Sequence, residues 1–223
     1  MNFNKSYPLG INCRGAIFLD NNANLHYLFR RCLNANYIHS GNGADYAIDR
    51  VGRRIYIFFE WSDGPLDWKN NLDFPARAHG RRGDAWFVHR GFLSVWQSVK
   101  DEIVMIISRS VDEATDIICV GYSHGAALAG LCTEEMCFLY GDSVSVRGYG
   151  FGCPRFIFGK LPPSVRERFS SFAPIRNIPD IVTHLPPRIL GYSHPASIIK
   201  IGKKGKYTPI SAHYPSSYLA ETK

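Results

Sequence analysis

Apolar positions in the second half of the chain alternate between short continuous runs and longer runs of helical spacing. The run Asp116 to Val120 reads DIICV, the pattern of a strand covered on both faces, and Gly125 to Tyr140 is predicted to be an alanine-rich helix. Further strands are predicted at Val144 to Phe151, Phe172 to Ile178 and Ser197 to Ile201. Strands that alternate with helices predict an α/β fold, with a mostly parallel central sheet flanked by helices.

The first half of the chain has fewer periodic signals. Helical spacing predicts one helix over Asn22 to Leu33 and a long one from Gly91 to Ile107, where apolar residues recur every three or four positions. Strands are predicted at Ile55 to Phe59 and Trp86 to Val88, and more weakly at Tyr46 to Val51. These elements complete the alternation seen in the second half.

Length and composition indicate one globular unit. The chain has 223 residues, 45% hydrophobic and 20% charged, so we expect a single domain over residues 1–223. The longest uncharged stretch around the most apolar region, Ile117 to Thr133, is too short and too polar to cross a bilayer. The first residues lack the apolar block of a secretory signal, and we expect a soluble cytoplasmic protein.

Charge and cysteine content narrow the classes of partner. The formal net charge is +7, but the basic residues occur in short groups without a nucleic-acid-binding motif, so no nucleic-acid partner is expected. A solvated basic face and attraction to anionic lipid headgroups both remain open.

The six cysteines are irregularly spaced, so we expect them to be reduced and mostly buried. The histidines show no metal-binding spacing, and neither a metal nor a cofactor is expected.

One short motif carries chemistry. Gly121-Tyr122-Ser123-His124-Gly125 is a G-x-S-x-G that follows a predicted strand and opens a predicted helix. This strand–turn–helix context exposes a serine hydroxyl above a sheet edge, so Ser123 is the candidate nucleophile. A second Tyr-Ser-His at Tyr192 to His194 is followed by proline, and we predict a loop there that leads into an edge strand.

A serine nucleophile needs a base and an orienting acid, which in this fold follow it in the order acid, then histidine. Asp180 comes just past a predicted strand end, where topology places such an acid. His184, His194 and His213 compete as base. His184 is too near Asp180 in sequence and His194 precedes a strand that leads away, so we expect His213, on a terminal loop.

Four segments together resemble the class 3 (fungal-type) lipases of the α/β-hydrolase superfamily. GYSHGAALAG is similar to the G-H-S-L-G-G-A-L-A elbow of that family, and FVHRGFLSVWQSV to its V-H-x-G-F junction. GYGFGCPR is similar to its T-F-G-x-P-R strand, and NIPDIVTHLPP to its N-x-x-D-x-V-P-x-L-P loop. The resemblance runs from about Ile55 to His213 and implies an α/β-hydrolase fold with Ser123, Asp180 and His213 as a catalytic triad.

The resemblance also implies an oxyanion hole and a lid. Residues 59–72 resemble the family's oxyanion-hole strand, which places backbone N–H donors at Ser62 and His124, and Gly64 to Leu72 occupies the place of the lid. Glu60-Trp61 departs from the family's Arg-Gly, Tyr122 replaces the usual histidine, and His124 replaces the usual leucine. None of these changes removes a catalytic group.

The implied activity is hydrolysis of carboxylic esters through an acyl-enzyme, as in a triacylglycerol lipase. The expected partners are an ester or lipid substrate and a lipid interface. The sequence does not indicate whether the protein forms oligomers. The alternatives are a phospholipase or a short-chain esterase of the same fold, and a catalytically silent lipase-like binding protein.

Overall fold

Two β-sheets and five α-helices make up the part of the chain that the computed structural model describes, residues 22–40, 44–60, 75–81 and 83–223. In chain order, the strands are β1 (Tyr46–Val51), β2 (Arg54–Phe59), β3 (Ala76–His79), β4 (Trp86–His89), β5 (Asp116–Tyr122), β6 (Ser145–Phe151), β7 (Ile157–Phe158), β8 (Phe172–Asn177), β9 (Tyr192–Ser193) and β10 (Ile199–Ile201). The helices are α1 (Asn22–Leu33), α2 (Arg90–Ser108), α3 (His124–Tyr140), α4 (Pro163–Arg168) and α5 (Pro215–Glu221).

The central sheet has six strands in the order β1-β2-β5-β6-β8-β10. Every neighbouring pair is parallel except β1 with β2, which is antiparallel. The predicted mostly parallel sheet flanked by helices is therefore confirmed. The carboxyl ends of β5, β6 and β8 lie together at one edge, where parallel α/β sheets place their functional groups.

The smaller sheet, β3-β4-β7-β9, is antiparallel throughout. Sequence analysis predicted only one of its strands, at Trp86 to Val88. The predicted loop at Tyr192 to His194 is wrong in part, because Tyr192 and Ser193 form β9 and pair with β7. Two-residue strands have no periodicity of their own, so only a distant partner makes them strands.

Helices cover both faces of the central sheet. The apolar stripe of α2 is buried against α3 and one sheet face, and α3 is so enclosed that every residue from His124 to Cys137 is buried. The other face packs against α1 and α5 through Phe29 and Tyr218.

Among the described helices, none combines the length and apolar character that a membrane crossing requires. The cysteines in the described residues are free and buried, as predicted, and Cys13 lies outside these residues.

A buried ion pair joins α3 to α4. The guanidinium Nε of Arg168 lies 2.6 Å from a carboxylate oxygen of Glu134, and its Nη2 lies 3.0 Å from Asp84. The side chains of Arg168 and Glu134 are each 1% exposed. Because a buried charge is tolerated only when it is paired, this contact fixes α4 on α3.

Candidate active site

Ser123 occupies a strained turn between β5 and α3. Its backbone has φ 56° and ψ −119°, and no other non-glycine residue of the described ranges has positive φ. Its N–H donates to the carbonyl oxygen of Phe151 on β6, at 2.8 Å. Such strain persists only where the surrounding structure enforces it, and here it points the side chain away from both elements. The strand–turn–helix context predicted for the G-x-S-x-G motif is confirmed.

The two glycines of the motif are required by close approach of main chains. A Cβ on Gly121 would lie 2.0 Å from the carbonyl oxygen of Gly125, and one on Gly125 would lie 2.5 Å from the carbonyl oxygens of Phe59 and Glu60. Real Cβ atoms do not approach so closely, so any larger residue would displace the turn. The first turn of α3 therefore lies directly against the carboxyl end of β2.

Asp180 follows β8 at the same sheet edge and is fully buried. One of its oxygens, Oδ1, accepts the backbone N–H of Val182 at 2.9 Å. The other, Oδ2, accepts the Tyr218 hydroxyl at 2.6 Å and faces His213 Nδ1 at 2.8 Å. Three donors therefore converge on this one buried carboxyl group.

His213 connects the serine to the aspartate. It lies on the 3₁₀ turn Ser211–His213, with Nε2 2.8 Å from Ser123 Oγ and Nδ1 2.8 Å from Asp180 Oδ2. Because a carboxylate can only accept, Nδ1 carries the proton in the neutral imidazole and Nε2 accepts the serine hydroxyl. The structure thus brings together the three side chains that sequence analysis selected, all at least 95% buried.

The competing histidines take other partners. His194 Nε2 lies 2.9 Å from the carbonyl oxygen of Cys153, and burial lowers the pKa of His194 to about 4. His184 is largely exposed on the turn that follows Asp180, and its pKa is lowered by its partial burial and then by nearby Arg176 and Arg155. Ser193 pairs with Ile157 in the small sheet.

Two tyrosines that sequence analysis did not assign to the site contact its members. Tyr218, on α5, donates its hydroxyl to Asp180, and the same hydroxyl accepts the backbone N–H of Asn177 at 3.1 Å. Tyr122 donates its hydroxyl to the carbonyl oxygen of His213. The only sequence signal for α5 is Pro215, which favours the first position of a helix, followed by the apolar pair Tyr218 and Leu219.

One of the two implied oxyanion donors lies in the described residues. His124 begins α3, so its backbone N–H is among the first four of the helix, which have no intrahelical partner. Its imidazole packs against the Phe92 ring at 5.3 Å between centroids, and burial, with His89 nearby, lowers the pKa of His124 to about 4. The imidazole is therefore neutral at neutral pH. Ser62 and the segment Gly64 to Leu72 lie outside the described residues.

One group of side chains in the described ranges has metal-ligand composition. Ligand atoms of His39, Asp45 and Glu60 lie within 4.8 Å of one another, and His39 is exposed. The group contains none of the three residues joined at the sheet edge.

Comparison of the sequence with models of known protein families identifies one family that matches this chain. The sequence model described as Lipase (class 3) matches residues 56–190. Phospholipase A1-II 4 of Oryza sativa subsp. japonica is 28% identical over 181 residues, which cover 67% of this chain and 44% of that protein. Secreted mono- and diacylglycerol lipase 1 of Fusarium solani is 26% identical over 157 residues, which cover 70% of this chain and 46% of that protein. The chain thus spans less than half the length of these curated relatives.

Solved structures agree on the fold. The triacylglyceride lipase of Rhizomucor miehei superposes with a TM-score of 0.59 at 24% identity, over 73% of this chain and 63% of that one. A fungal lipase in complex with an inhibitor superposes with a TM-score of 0.67 at 18% identity, over 91% of this chain and 94% of that one. Likeness at these identities shows the fold, and the expected α/β-hydrolase fold is confirmed.

Proposed function

The chain belongs to the lipase (class 3) family, and from that membership we propose that it is a serine hydrolase that cleaves carboxylic esters through an acyl-enzyme. One observation carries the proposal: Ser123 Oγ, His213 Nε2, His213 Nδ1 and Asp180 Oδ2 form a continuous chain with both links at 2.8 Å. This is the geometry that a serine needs to become a nucleophile at neutral pH.

The reaction follows from the position of each proton. Ser123 Oγ attacks the ester carbonyl while His213 Nε2 accepts the hydroxyl proton, and Asp180 stabilises the imidazolium that forms. The tetrahedral oxyanion is held by the backbone N–H of His124, a donor worth about 3 kcal/mol, and the family resemblance implies Ser62 as the second donor. His213 then protonates the departing alcohol oxygen. Water, deprotonated by His213, attacks the acyl-enzyme and releases the carboxylic acid and free Ser123.

Lipid esters are the proposed substrate class. The two relatives named above are a mono- and diacylglycerol lipase and a phospholipase A1, so an acylglycerol lipase is the first candidate and a phospholipase the second. Exposed apolar side chains lie close in sequence to two triad residues: Ile181 follows Asp180 directly, Tyr214 follows His213, and Ile210 precedes His213 by three positions. Apolar groups at the rim of a site support contact with a lipid surface.

The first experiment measures hydrolysis of p-nitrophenyl esters by the wild type and by Ser123→Ala. We expect the substitution to abolish turnover. Ser193→Ala is the matched control, because Ser193 has the same Tyr-Ser-His context but lies in β9, and we expect it to keep the wild-type rate. Equal rates for the wild type and Ser123→Ala would contradict the proposal, and so would absence of wild-type turnover, the result expected of a silent binding protein.

Two further measurements refine the assignment. A fluorophosphonate probe should form a covalent adduct on the peptide that contains Ser123, and an adduct elsewhere would reassign the nucleophile. Short- and long-chain acylglycerols and a diacyl phospholipid, compared above and below micelle formation, separate a lipase from a short-chain esterase and a phospholipase. We expect acylglycerols to be preferred, and a higher kcat/KM for the phospholipid would select the second candidate.

A further inference from the structure

Tyr122, the residue before the nucleophile, holds the base from two sides. Its hydroxyl donates to the carbonyl oxygen of His213, and its ring stacks on the imidazole with centroids 5.2 Å apart and an interplanar angle of 25°. Tyr122 is 2% exposed, and burial raises the pKa of its hydroxyl above the usual value of 10.0, so the hydroxyl stays protonated and donates. The hydroxyl fixes the main chain of His213, and the ring fixes the tilt of its side chain.

The imidazole needs such a support because its own element is short. His213 ends a three-residue 3₁₀ turn, and its N–H donates only to Ile210 within that turn, at 3.0 Å. Gly152 leaves the room that the imidazole occupies: a Cβ there would lie 2.9 Å from His213 Cε1 and 3.2 Å from Tyr122 Cε2. The imidazole therefore lies in a narrow space with Tyr122 as one wall.

Tyr122 itself is rigidly placed. It is the last residue of β5, paired in register with Phe151 of β6, and its ring meets Phe29 edge-on at 5.3 Å. Tyr122, which holds the base, thus ends a buried strand, and Ser123, which carries the nucleophile, is the next residue in the chain. A displacement of the strand end moves both together and preserves the distance between them.

We infer that Tyr122 is a positioning residue for the reaction, which sets the distance and angle between His213 and Ser123 through its hydroxyl and its ring. The inference rests on the proposed function. Loss of the hydroxyl frees the main chain of His213, and loss of the ring also frees the tilt of the imidazole. Misplacement of a catalytic group by about 1 Å can cost about a hundredfold in rate. Because Tyr122 acts on the base and not on substrate binding, we expect its substitution to lower kcat and to leave KM nearly unchanged.

The experiment compares Tyr122→Phe, which keeps the ring, with Tyr122→Leu, which removes it. Tyr56→Phe is the matched control, because Tyr56 is a buried tyrosine, 3% exposed, on the neighbouring strand β2 and stacks on Phe58 rather than on a triad residue. We expect kcat for a p-nitrophenyl ester to fall about tenfold in Tyr122→Phe and about a hundredfold in Tyr122→Leu. Tyr56→Phe should keep the wild-type kcat.

A double-mutant cycle separates positioning from general support of the elbow. In the His213→Ala background there is no imidazole to position, so Tyr122→Phe should leave the residual rate unchanged. Equal kcat for Tyr122→Phe and Tyr56→Phe in the wild-type background would overturn the inference. So would a similar fall in rate when Tyr122→Phe is added to His213→Ala.

Amide hydrogen exchange tests the placement of His213 without substrate. We expect the His213 amide, which donates to Ile210, to exchange about fivefold faster in Tyr122→Phe than in Tyr56→Phe, because the turn loses the hydrogen bond that the His213 carbonyl oxygen accepts from Tyr122. Equal exchange would refute the contact. This readout needs no turnover, so it distinguishes a failure of the inference from a failure of the proposed function.

Discussion

Replacement of Asp180 by asparagine tests the proposed reaction at the most buried of the three triad residues. The substitution keeps the shape of the side chain and removes its charge. In the wild type, Oδ1 accepts one donor, Val182 N–H, and Oδ2 faces two, His213 Nδ1–H and the Tyr218 hydroxyl. An asparagine side chain has only one acceptor oxygen for these two positions.

Either orientation of the amide is unfavourable. If its oxygen faces Val182, its NH₂ group meets His213, which must then carry its proton on Nε2 and can no longer accept the proton of Ser123. If its NH₂ group faces Val182, two donors meet in a buried space. The loss of the correct tautomer and of the charge that stabilises the imidazolium costs about 10⁴-fold in kcat, or about 5.4 kcal/mol.

The assay is steady-state hydrolysis of a p-nitrophenyl ester, with the thermal midpoint of each variant measured in parallel. We expect kcat to fall about 10⁴-fold in Asp180→Asn, while Asp142→Asn, an exposed aspartate just after α3, keeps the wild-type kcat. If folded Asp180→Asn retained a tenth or more of the wild-type kcat, the assignment of Asp180 as the triad acid would be refuted.

Two further predictions concern stability. The pKa of His194 is about 4 in the folded protein, below its unfolded value of 6.5, so the unfolded state takes up a proton first as the pH falls. Proton uptake by the unfolded state lowers the free energy of unfolding as the pH falls below about 6.5. We therefore expect His194→Gln, which lacks this group, to lose about 1 kcal/mol less unfolding free energy than the wild type between about pH 6 and pH 5. Parallel denaturant titrations at the two values measure it, and equal losses would contradict it. Arg168→Met should cost about 3 kcal/mol, because the buried Glu134 carboxylate loses its partner at 2.6 Å and keeps the longer contact with Arg81 at 3.7 Å, and adding Glu134→Leu should recover most of the loss. Urea unfolding checks this, and a single variant as stable as the wild type would show that the pair contributes nothing.

The main sheet was predictable because its signals are local. Helix α1 has its predicted bounds, Asn22 to Leu33, and β5 and α3 differ from prediction by two residues at most, because apolar runs and helical spacing are read within one segment. The order Ser123, Asp180, His213 was predicted from topology and from the family resemblance. The structure brings these three side chains into contact, although their separations of 57 and 33 positions carry no local signal.

The supports of the triad could not be predicted, because they depend on long-range contacts. Tyr218 contacts Asp180 only because seven residues form α5, and this helix packs on α1 and β8, far away in sequence. Tyr122 was noted as a departure from the family pattern, but its bond to His213 depends on two segments 91 positions apart. The small sheet was largely missed for the same reason, since β7 and β9 have two residues each.

The positive φ of Ser123 has a practical consequence for engineering this chain. Glycine would adopt that conformation without a steric penalty, and from the release of about 1 kcal/mol or more of strain we expect Ser123→Gly to be a stabilising substitution. A library screened only for heat resistance or solubility would therefore accumulate robust proteins with an intact fold and no nucleophile. Screens of this chain need to score turnover and thermal tolerance on the same clones.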